Sequence, residues 1–167
     1  MPERNDTNPP VSPHGDPRWA DLADLILVIA REIQFHGYQD PEAVPLTQSE
    51  GMVMRYLQDR PGAAPSQIAA ATGLQRTNLS AVLRGLERKG LAERRTSTDD
   101  LRGATIHPTE HGRRNYALVR REWASAVSDA VSNEAGSLDA ALALLRDIQA
   151  GLTAARPPAP GRPATLM

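Results

Sequence analysis

The sequence predicts a mainly helical protein with one small β-hairpin. Over most of the 167 residues, apolar side chains recur at steps of three and four, the period of a helix with one buried face. One polar stretch, ERRTSTDDLRGAT (Glu93 to Thr105), interrupts this pattern and joins two weak strand candidates, Leu91–Thr96 and Gly103–His107. A chain of this length can bury the core of one domain.

The composition excludes several classes of function. The chain has no cysteine, which rules out disulfide frameworks, thiolate nucleophiles, thiol redox sensing and cysteine-ligated zinc. The N-terminal residues contain no apolar segment of the kind found in a secretory signal. The longest apolar run, Leu25 to Ala30, is too short to span a bilayer. We therefore expect a cytoplasmic protein without a membrane partner.

Charge is distributed unevenly along a chain whose net charge is −1. Residues 1–60 carry five basic and ten acidic side chains, whereas residues 61–120 carry ten basic and five acidic ones. A basic region confined to the middle of a nearly neutral chain favours an anionic partner for that region. The alternative is a basic face that serves only solubility.

The predicted elements form one domain between two disordered tails, residues 1–16 and the proline-rich residues 156–167. The first helix spans Asp16–His36, where six apolar residues have helical spacing: Trp19, Leu22, Leu25, Ile26, Ile29 and Ile33. After a linker with two prolines, the TQSE sequence at 47–50 predicts a capping box that opens a second helix. Pro65 suits the first position of a third helix.

A fourth helix is predicted from Arg76 to Lys89. Gly85 inside it costs about 1 kcal/mol relative to alanine, so tertiary packing must stabilise that turn. Beyond the strand candidates, Pro108 has no N–H to continue a strand ladder, and Thr109 is a suitable N-cap for a long fifth helix. A sixth helix, from about residue 137 to 155, carries leucines on one side.

Residues 67–83, QIAAATGLQRTNLSAVL, join the third and fourth helices by a sharp turn. Ala69 is small enough for the helices to cross closely, and Gly73 can adopt a positive φ in the turn. This is the spacing of a helix-turn-helix, whose second helix can lie in the major groove of DNA. The alternative is a helical hairpin that only packs in a core.

The second helix of this unit displays small polar residues and arginines, which suit base edges and phosphates. A polar hairpin loop follows it, so the unit has the order of a winged helix-turn-helix. The candidate DNA-binding residues are Arg76, Thr77, Asn78, Ser80 and Arg84 on the helix, and Arg94, Arg95 and Arg102 on the hairpin.

Residues 86–112, LERKGLAERRTSTDDLRGATIHPTEHG, closely resemble the signature of the MarR family of bacterial winged-helix transcriptional regulators. The matching parts are the Leu-Glu and Lys-Gly-Leu run, the Asp-x-Arg of Asp100 and Arg102, and the Thr-Glu-x-Gly that opens the next helix. The resemblance extends more loosely over residues 17–155. It implies a winged unit at about 47–108, flanked by dimerisation helices at about 17–36 and 109–155.

The resemblance also implies roles for the hairpin residues. Arg102 would reach into the minor groove, whose negative potential favours an inserted arginine. Asp100 would hold the wing in shape, while Asp99 receives no role. Two positions depart from the family pattern: Leu101 stands where a basic residue is frequent, and Pro108 stands where leucine is usual. We expect Pro108 to shorten the returning strand.

The six aromatic residues all lie outside residues 67–112. Ordinary core packing explains most of this distribution. The resemblance implies in addition a small aromatic or phenolic effector, and the candidate pocket residues are Phe35, His36, Tyr38, Tyr56 and Trp123. The implied function is that of a homodimeric repressor which binds a palindromic operator in double-stranded DNA and is released by this effector.

Two other classes of function are alternatives to a DNA-binding regulator. The sequence contains no catalytic motif, and its four histidines are scattered, so we predict no catalytic residue, no metal site and no cofactor. The second alternative is a winged-helix regulator or protein-interaction module without a small-molecule ligand. A module that binds only proteins would not need a net charge of +5 in residues 61–120.

Overall fold

The computed structural model describes residues 15–96, 103–131 and 135–157, and the chain divides into two units after Gly37. The predicted mainly helical fold with a β-hairpin is confirmed. The elements, in chain order, are α1 (Arg18–Phe35), α2 (Gln48–Asp59), α3 (Pro65–Thr72), α4 (Arg76–Arg88), β1 (Ala92–Thr96), β2 (Ala104–Pro108), α5 (Glu110–Ala130) and α6 (Leu138–Ala154). None of the helices in the described ranges is long and apolar enough to cross a membrane.

The first unit contains α1, which starts after a local turn. Asp16 accepts a hydrogen bond from the backbone N–H of Arg18 at 3.0 Å, and the Arg18 guanidinium also binds this carboxylate. No side chain of α1 is buried. Its exposed large apolar residues are Trp19, Leu25, Leu27, Val28, Ile29 and Phe35.

The second unit begins at Tyr38 and holds the hydrophobic core. The predicted capping box at the start of α2 is confirmed: Thr47 Oγ1 accepts from the Glu50 N–H, and Glu50 accepts from the Thr47 N–H. The core consists of apolar side chains from α2 to α5 and from both strands, including Val53, Met54, Leu57, Ile68, Leu83, Leu86, Leu91, Ile106 and Val119, each at most 2% exposed. Residues of α2 to α5 and of both strands therefore share a single core.

The two strands pair in antiparallel fashion, from Ala92 opposite Pro108 to Thr96 opposite Ala104. An isolated bridge between Ala63 and Ile106 adds a third segment to this small sheet. The prediction that Pro108 shortens the returning strand is wrong, because Pro108 is the buried last residue of β2. Both strands of a two-stranded sheet are edge strands, which tolerate proline. The Pro108 carbonyl accepts a hydrogen bond from Arg113 at 3.0 Å.

The junction between β2 and α5 is packed tightly. Thr109 caps α5, as predicted, by accepting from the Gly112 N–H at 2.9 Å, and its hydroxyl donates to the Gly90 carbonyl. A Cβ at Gly112 would lie 1.8 Å from the Leu91 carbonyl oxygen. Only glycine fits at this position of the Thr-Glu-x-Gly motif, which explains the motif in physical terms.

Polar side chains of α5 hold the segment that leads into α2. Buried Asn115 accepts from the Val44 N–H at 2.7 Å and donates to the Val44 carbonyl at 3.0 Å, as a strand partner would. Further along α5, Glu122 accepts from the backbone N–H of Gln39 at 2.7 Å. The linker is thereby fixed along α5 by hydrogen bonds that its own sequence does not reveal.

Replacing Asn115 by alanine tests the importance of this contact. We expect Asn115→Ala to lower the free energy of unfolding by about 1–3 kcal/mol, because the backbone N–H and carbonyl of partly buried Val44 lose their partner. Chemical denaturation measures this change. Asn78→Ala, at an exposed position of α4, is the matched control and should change stability by less than about 0.5 kcal/mol. Equal stability of the two variants would contradict the prediction.

Candidate DNA-binding surface

The helix-turn-helix predicted from the sequence is formed by α3 and α4. Gly73 ends α3 in the left-handed conformation, with φ 73° and ψ 10°, and its N–H donates to the Ala69 carbonyl at 2.8 Å. Leu79 and Leu83 of α4 are buried in the core next to Ile68 of α3. The turn therefore directs α4 across α3 with its apolar face inward.

The opposite face of α4 is exposed and polar. All five predicted DNA-contacting residues of this helix are exposed: Arg76, Thr77, Asn78, Ser80 and Arg84. The Ser80 hydroxyl donates to the Arg76 carbonyl at 2.9 Å, so its oxygen remains able to accept a hydrogen bond from a ligand. The face thus combines guanidinium donors with small groups that can donate or accept, which is the chemistry of base-edge and phosphate contacts.

A cleft of about 370 Å³ lies beside this face. It is lined by residues of α3, α4 and β1, namely Pro65, Ser66, Arg76, Leu79, Ser80, Leu83 and Arg94. The cleft brings together three predicted residues, Arg76 and Ser80 of α4 and Arg94 of β1, and adds the hydroxyl of Ser66, which no sequence pattern indicated. Its guanidinium and hydroxyl donors match the acceptors of a phosphate group.

The two arginines of β1 have acidic neighbours. The Arg94 guanidinium lies 3.5 Å from Glu87 of α4, and that of Arg95 lies 2.5 Å from Glu93 on its own strand. Both arginines are exposed, so these ion pairs are weak enough to be exchanged for contacts with phosphate. Asp100 and Arg102, the predicted wing residues, lie outside the described residues, as does Asp99.

The orientation of α4 depends on a buried carboxylate. Glu50 is 5% exposed, and its Oε2 atom lies 2.6 Å from Lys89 Nζ just after α4. The same ammonium group donates to the Pro45 carbonyl at 2.8 Å. A Cβ at Gly85 would lie 2.7 Å from Glu50 Oε1. The packing that the interior glycine of this helix requires is therefore contact with Glu50.

The proposed effector residues are distributed over both units. Phe35 and His36 belong to the first unit, where the Phe35 ring lies 4.9 Å from the Arg31 guanidinium. Tyr38, Tyr56 and Trp123 belong to the second unit and pack, partly buried, against its core.

Trp123 has a feature that core packing alone does not require. Its indole ring lies against Gly51, where a Cβ would come within 3.1 Å of the ring. The Nε1 donor is buried, and the described residues provide no acceptor for it. Tryptophan N–H groups that are buried ordinarily have such a partner.

A helix-turn-helix followed by a two-stranded wing, with an arginine-bearing exposed helix, defines a DNA-binding transcriptional regulator. The chain belongs to the MarR family of these regulators. The model of the MarR family matches residues 44–103. A putative transcriptional regulatory protein for the hcr operon of Thauera aromatica is 32% identical over 123 residues, which cover 66% of this chain and 73% of the relative. The family and fold are those of regulators rather than enzymes.

Three solved structures have a similar fold, and two of them hold a bound molecule. The transcriptional regulator SlyA aligns with a TM-score of 0.65 at 21% identity, covering 80% of this chain and 95% of SlyA. NadR in complex with 4-hydroxyphenylacetate aligns at 0.60 and 20% identity, covering 93% and 100%. The transcriptional repressor CouR, bound to a 23-mer DNA duplex, aligns at 0.56 and 26% identity, covering 77% and 95%.

The contact between Gly85 and Glu50 yields a prediction with an unusual sign. Alanine is favoured over glycine inside a helix by about 1 kcal/mol, yet we expect Gly85→Ala to lower the melting temperature. The added methyl group would displace a carboxylate that hydrogen bonds hold to Thr47 and Lys89. Thermal unfolding followed by circular dichroism measures the effect.

Gly151 of α6 is the control for this variant, because no atom lies within 4 Å of a Cβ at that position. Gly151→Ala should raise the melting temperature or leave it unchanged. If both substitutions stabilise the protein, Glu50 does not hold α4 as described.

Proposed function

We propose that this MarR-family regulator is a homodimeric repressor that binds a palindromic operator in the cytoplasm and is released by a small aromatic effector. The observation that carries the proposal is the exposed face of α4, which displays Arg76, Asn78, Ser80 and Arg84. The opposite face of the same helix is buried in the core. An anchored helix with such a face is suited to reading the major groove. CouR, which has a similar fold, is a transcriptional repressor whose solved structure is bound to a 23-mer DNA duplex.

Dimerisation is supported by apolar surfaces that the described chain leaves open. Neither α1 nor α6 has a buried residue. In α6 the exposed large apolar residues are Leu138, Leu142, Leu144, Leu145 and Leu152. Surfaces of this kind are unfavourable in water, and a second copy of the chain would cover them. A two-fold dimer would also place two recognition helices roughly 34 Å apart, one turn of DNA.

Light scattering tests the dimer directly. At micromolar concentration we expect twice the mass of one 18.1 kDa chain. Leu145→Glu should shift the mass toward the monomer, because it places a charge on the apolar face of α6. A monomeric mass for the unmodified protein would contradict the proposal.

An aromatic effector is supported by the unpaired indole N–H of Trp123 and by the fold shared with NadR, whose structure holds 4-hydroxyphenylacetate. A phenol or carboxylate oxygen could accept this hydrogen bond. Such a compound would release DNA only if it binds the DNA-free arrangement more tightly. If a broad panel of phenolic compounds changes neither the melting temperature nor DNA affinity, the alternative of a regulator without a ligand is favoured.

The arginines of α4 and of the wing should contribute separately to DNA affinity. We expect Arg84→Ala and Arg102→Ala each to weaken operator binding by about 1–3 kcal/mol, while dimer mass and melting temperature stay nearly unchanged. Arg84 would contact the major groove, and Arg102 the minor groove. Fluorescence anisotropy with labelled operator measures both effects. Arg146→Ala on α6 is the control and should bind as the unmodified protein does.

Asp100→Ala distinguishes a positioning role from simple electrostatics. If Asp100 holds the wing arginine in place, its removal weakens operator binding. Simple electrostatics predicts tighter binding, because the substitution removes a negative charge near DNA. Tighter binding by Asp100→Ala in the same anisotropy assay would show that the positioning role is wrong.

A further inference from the structure

The chain beyond α6 makes a contact with the helix-turn-helix that neither the sequence nor the proposed function anticipates. Arg156, which the sequence analysis assigned to the disordered tail, donates from Nη1 to the carbonyls of Ala70 and Ala71, each at 3.2 Å. These two residues belong to the last turn of α3, more than eighty positions earlier in the chain. The contact therefore joins the C-terminal end of the domain to the unit that carries α4.

Arg156 binds α3 at its C-terminal end, where a helix favours a positively charged hydrogen-bond donor. The last carbonyls of a helix have no partner within the helix and carry the negative end of its dipole. In α3 the Ala69 carbonyl is satisfied by the Gly73 N–H, whereas the next two carbonyls accept from Arg156. A guanidinium group supplies both hydrogen bonds and positive charge at this end, as a C-terminal cap does.

Gly73, in the turn between α3 and α4, leaves room for the guanidinium group of Arg156. A Cβ at Gly73 would lie 2.8 Å from Arg156 Cζ, so any side chain there would displace the arginine. Gly73 is thus required twice, once for its φ of 73° and once for the space beneath Arg156. The second requirement is independent of the turn itself.

Other contacts of α6 with the winged unit are few. None of its side chains is buried, and within the described part of the chain its only side-chain hydrogen bond, from Thr153 to the Gln149 carbonyl, stays inside the helix. The hydrogen bonds of Arg156 are the ones that connect its C-terminal end to the helix-turn-helix. A change in the position of α6 would therefore shift the end of α3 and the turn before α4.

We propose that Arg156 is a positioning residue that couples α6 to the helix-turn-helix. Through this residue, packing of α6 against a second copy of the chain would help to set the orientation of α4. The DNA-binding consequence rests on the proposed function, whereas the structural coupling does not. Two measurements test the structural coupling and the DNA-binding consequence separately.

Hydrogen exchange of the free protein tests the coupling without DNA. We expect Arg156→Ala to speed exchange of the Thr72 and Gly73 amides about two- to fivefold, the effect of losing a cation at a helix C-terminus. Arg156→Lys, which retains the charge, should restore much of the protection. Arg146→Ala is the control: the side chain of this exposed arginine of α6 makes no hydrogen bond to another described residue. Unchanged exchange in Arg156→Ala would overturn the proposal.

Operator affinity tests the consequence. Arg156→Ala should bind operator DNA about two- to fivefold more weakly than Arg146→Ala, with the same dimer mass and melting temperature, and Arg156→Lys should recover part of the loss. If exchange changes but operator affinity does not, the coupling to α4 is overturned although the contact exists. If the unmodified protein binds no duplex DNA, the proposed function fails, and the exchange result still decides the structural coupling.

A double substitution provides an internal check. Asparagine tolerates the left-handed conformation better than other residues with a side chain, but at residue 73 it would occupy the place of the Arg156 guanidinium. Gly73→Asn should therefore speed amide exchange at Thr72. Adding Arg156→Ala should have little further effect, because the contact is already lost. Additive effects of the two substitutions would show that Arg156 does not act through the turn.

Discussion

The hydrogen-bonded, buried carboxylate of Glu50 holds α4, the helix whose exposed face we propose binds DNA. It closes the capping box at the start of α2, lies 2.6 Å from Lys89 Nζ beyond the end of α4, and borders Gly85 in the last turns of that helix. A buried carboxylate is costly unless it is paired, so these partners restrict one another's positions. The orientation of α4 relative to α2 follows from this restriction, and the exposed arginines follow the orientation of α4.

Around this contact the winged unit is closely packed, whereas the outer helices are not. Gly112 admits no Cβ against Leu91, and Asn115 pairs with the backbone of Val44. By contrast, α1 and α6 contain no buried residue. The contact of Arg156 with α3 lies where the two kinds of packing meet.

Local features of the fold could be predicted from the sequence, because their causes lie within a few residues. The capping box of Thr47, the left-handed turn at Gly73 and the N-cap of Thr109 are of this kind. Contacts between residues distant in sequence could not be predicted. No local pattern reveals that Asn115 would bind Val44 or that Arg156 would cap α3. Nor does it reveal that contact with Glu50 would leave no room for a side chain at Gly85. The returning strand was predicted over residues 103–107, but its extension to Pro108 was not, because tolerance of a proline depends on its position in the sheet. Of the candidate site, the face of α4 followed from helical periodicity, whereas Ser66 was brought to the cleft by tertiary structure.

We propose that the face of α4 and its flanking arginines bind duplex DNA through both phosphates and bases. Affinity measured at several salt concentrations, for an operator selected from genomic fragments and for a random duplex, tests this claim most directly. We predict that log affinity falls linearly with log salt for both, by about 0.9 per phosphate neutralised. The operator should be preferred by about a thousandfold or more. Affinity that does not depend on salt, or equal affinity for the two duplexes, would contradict the account.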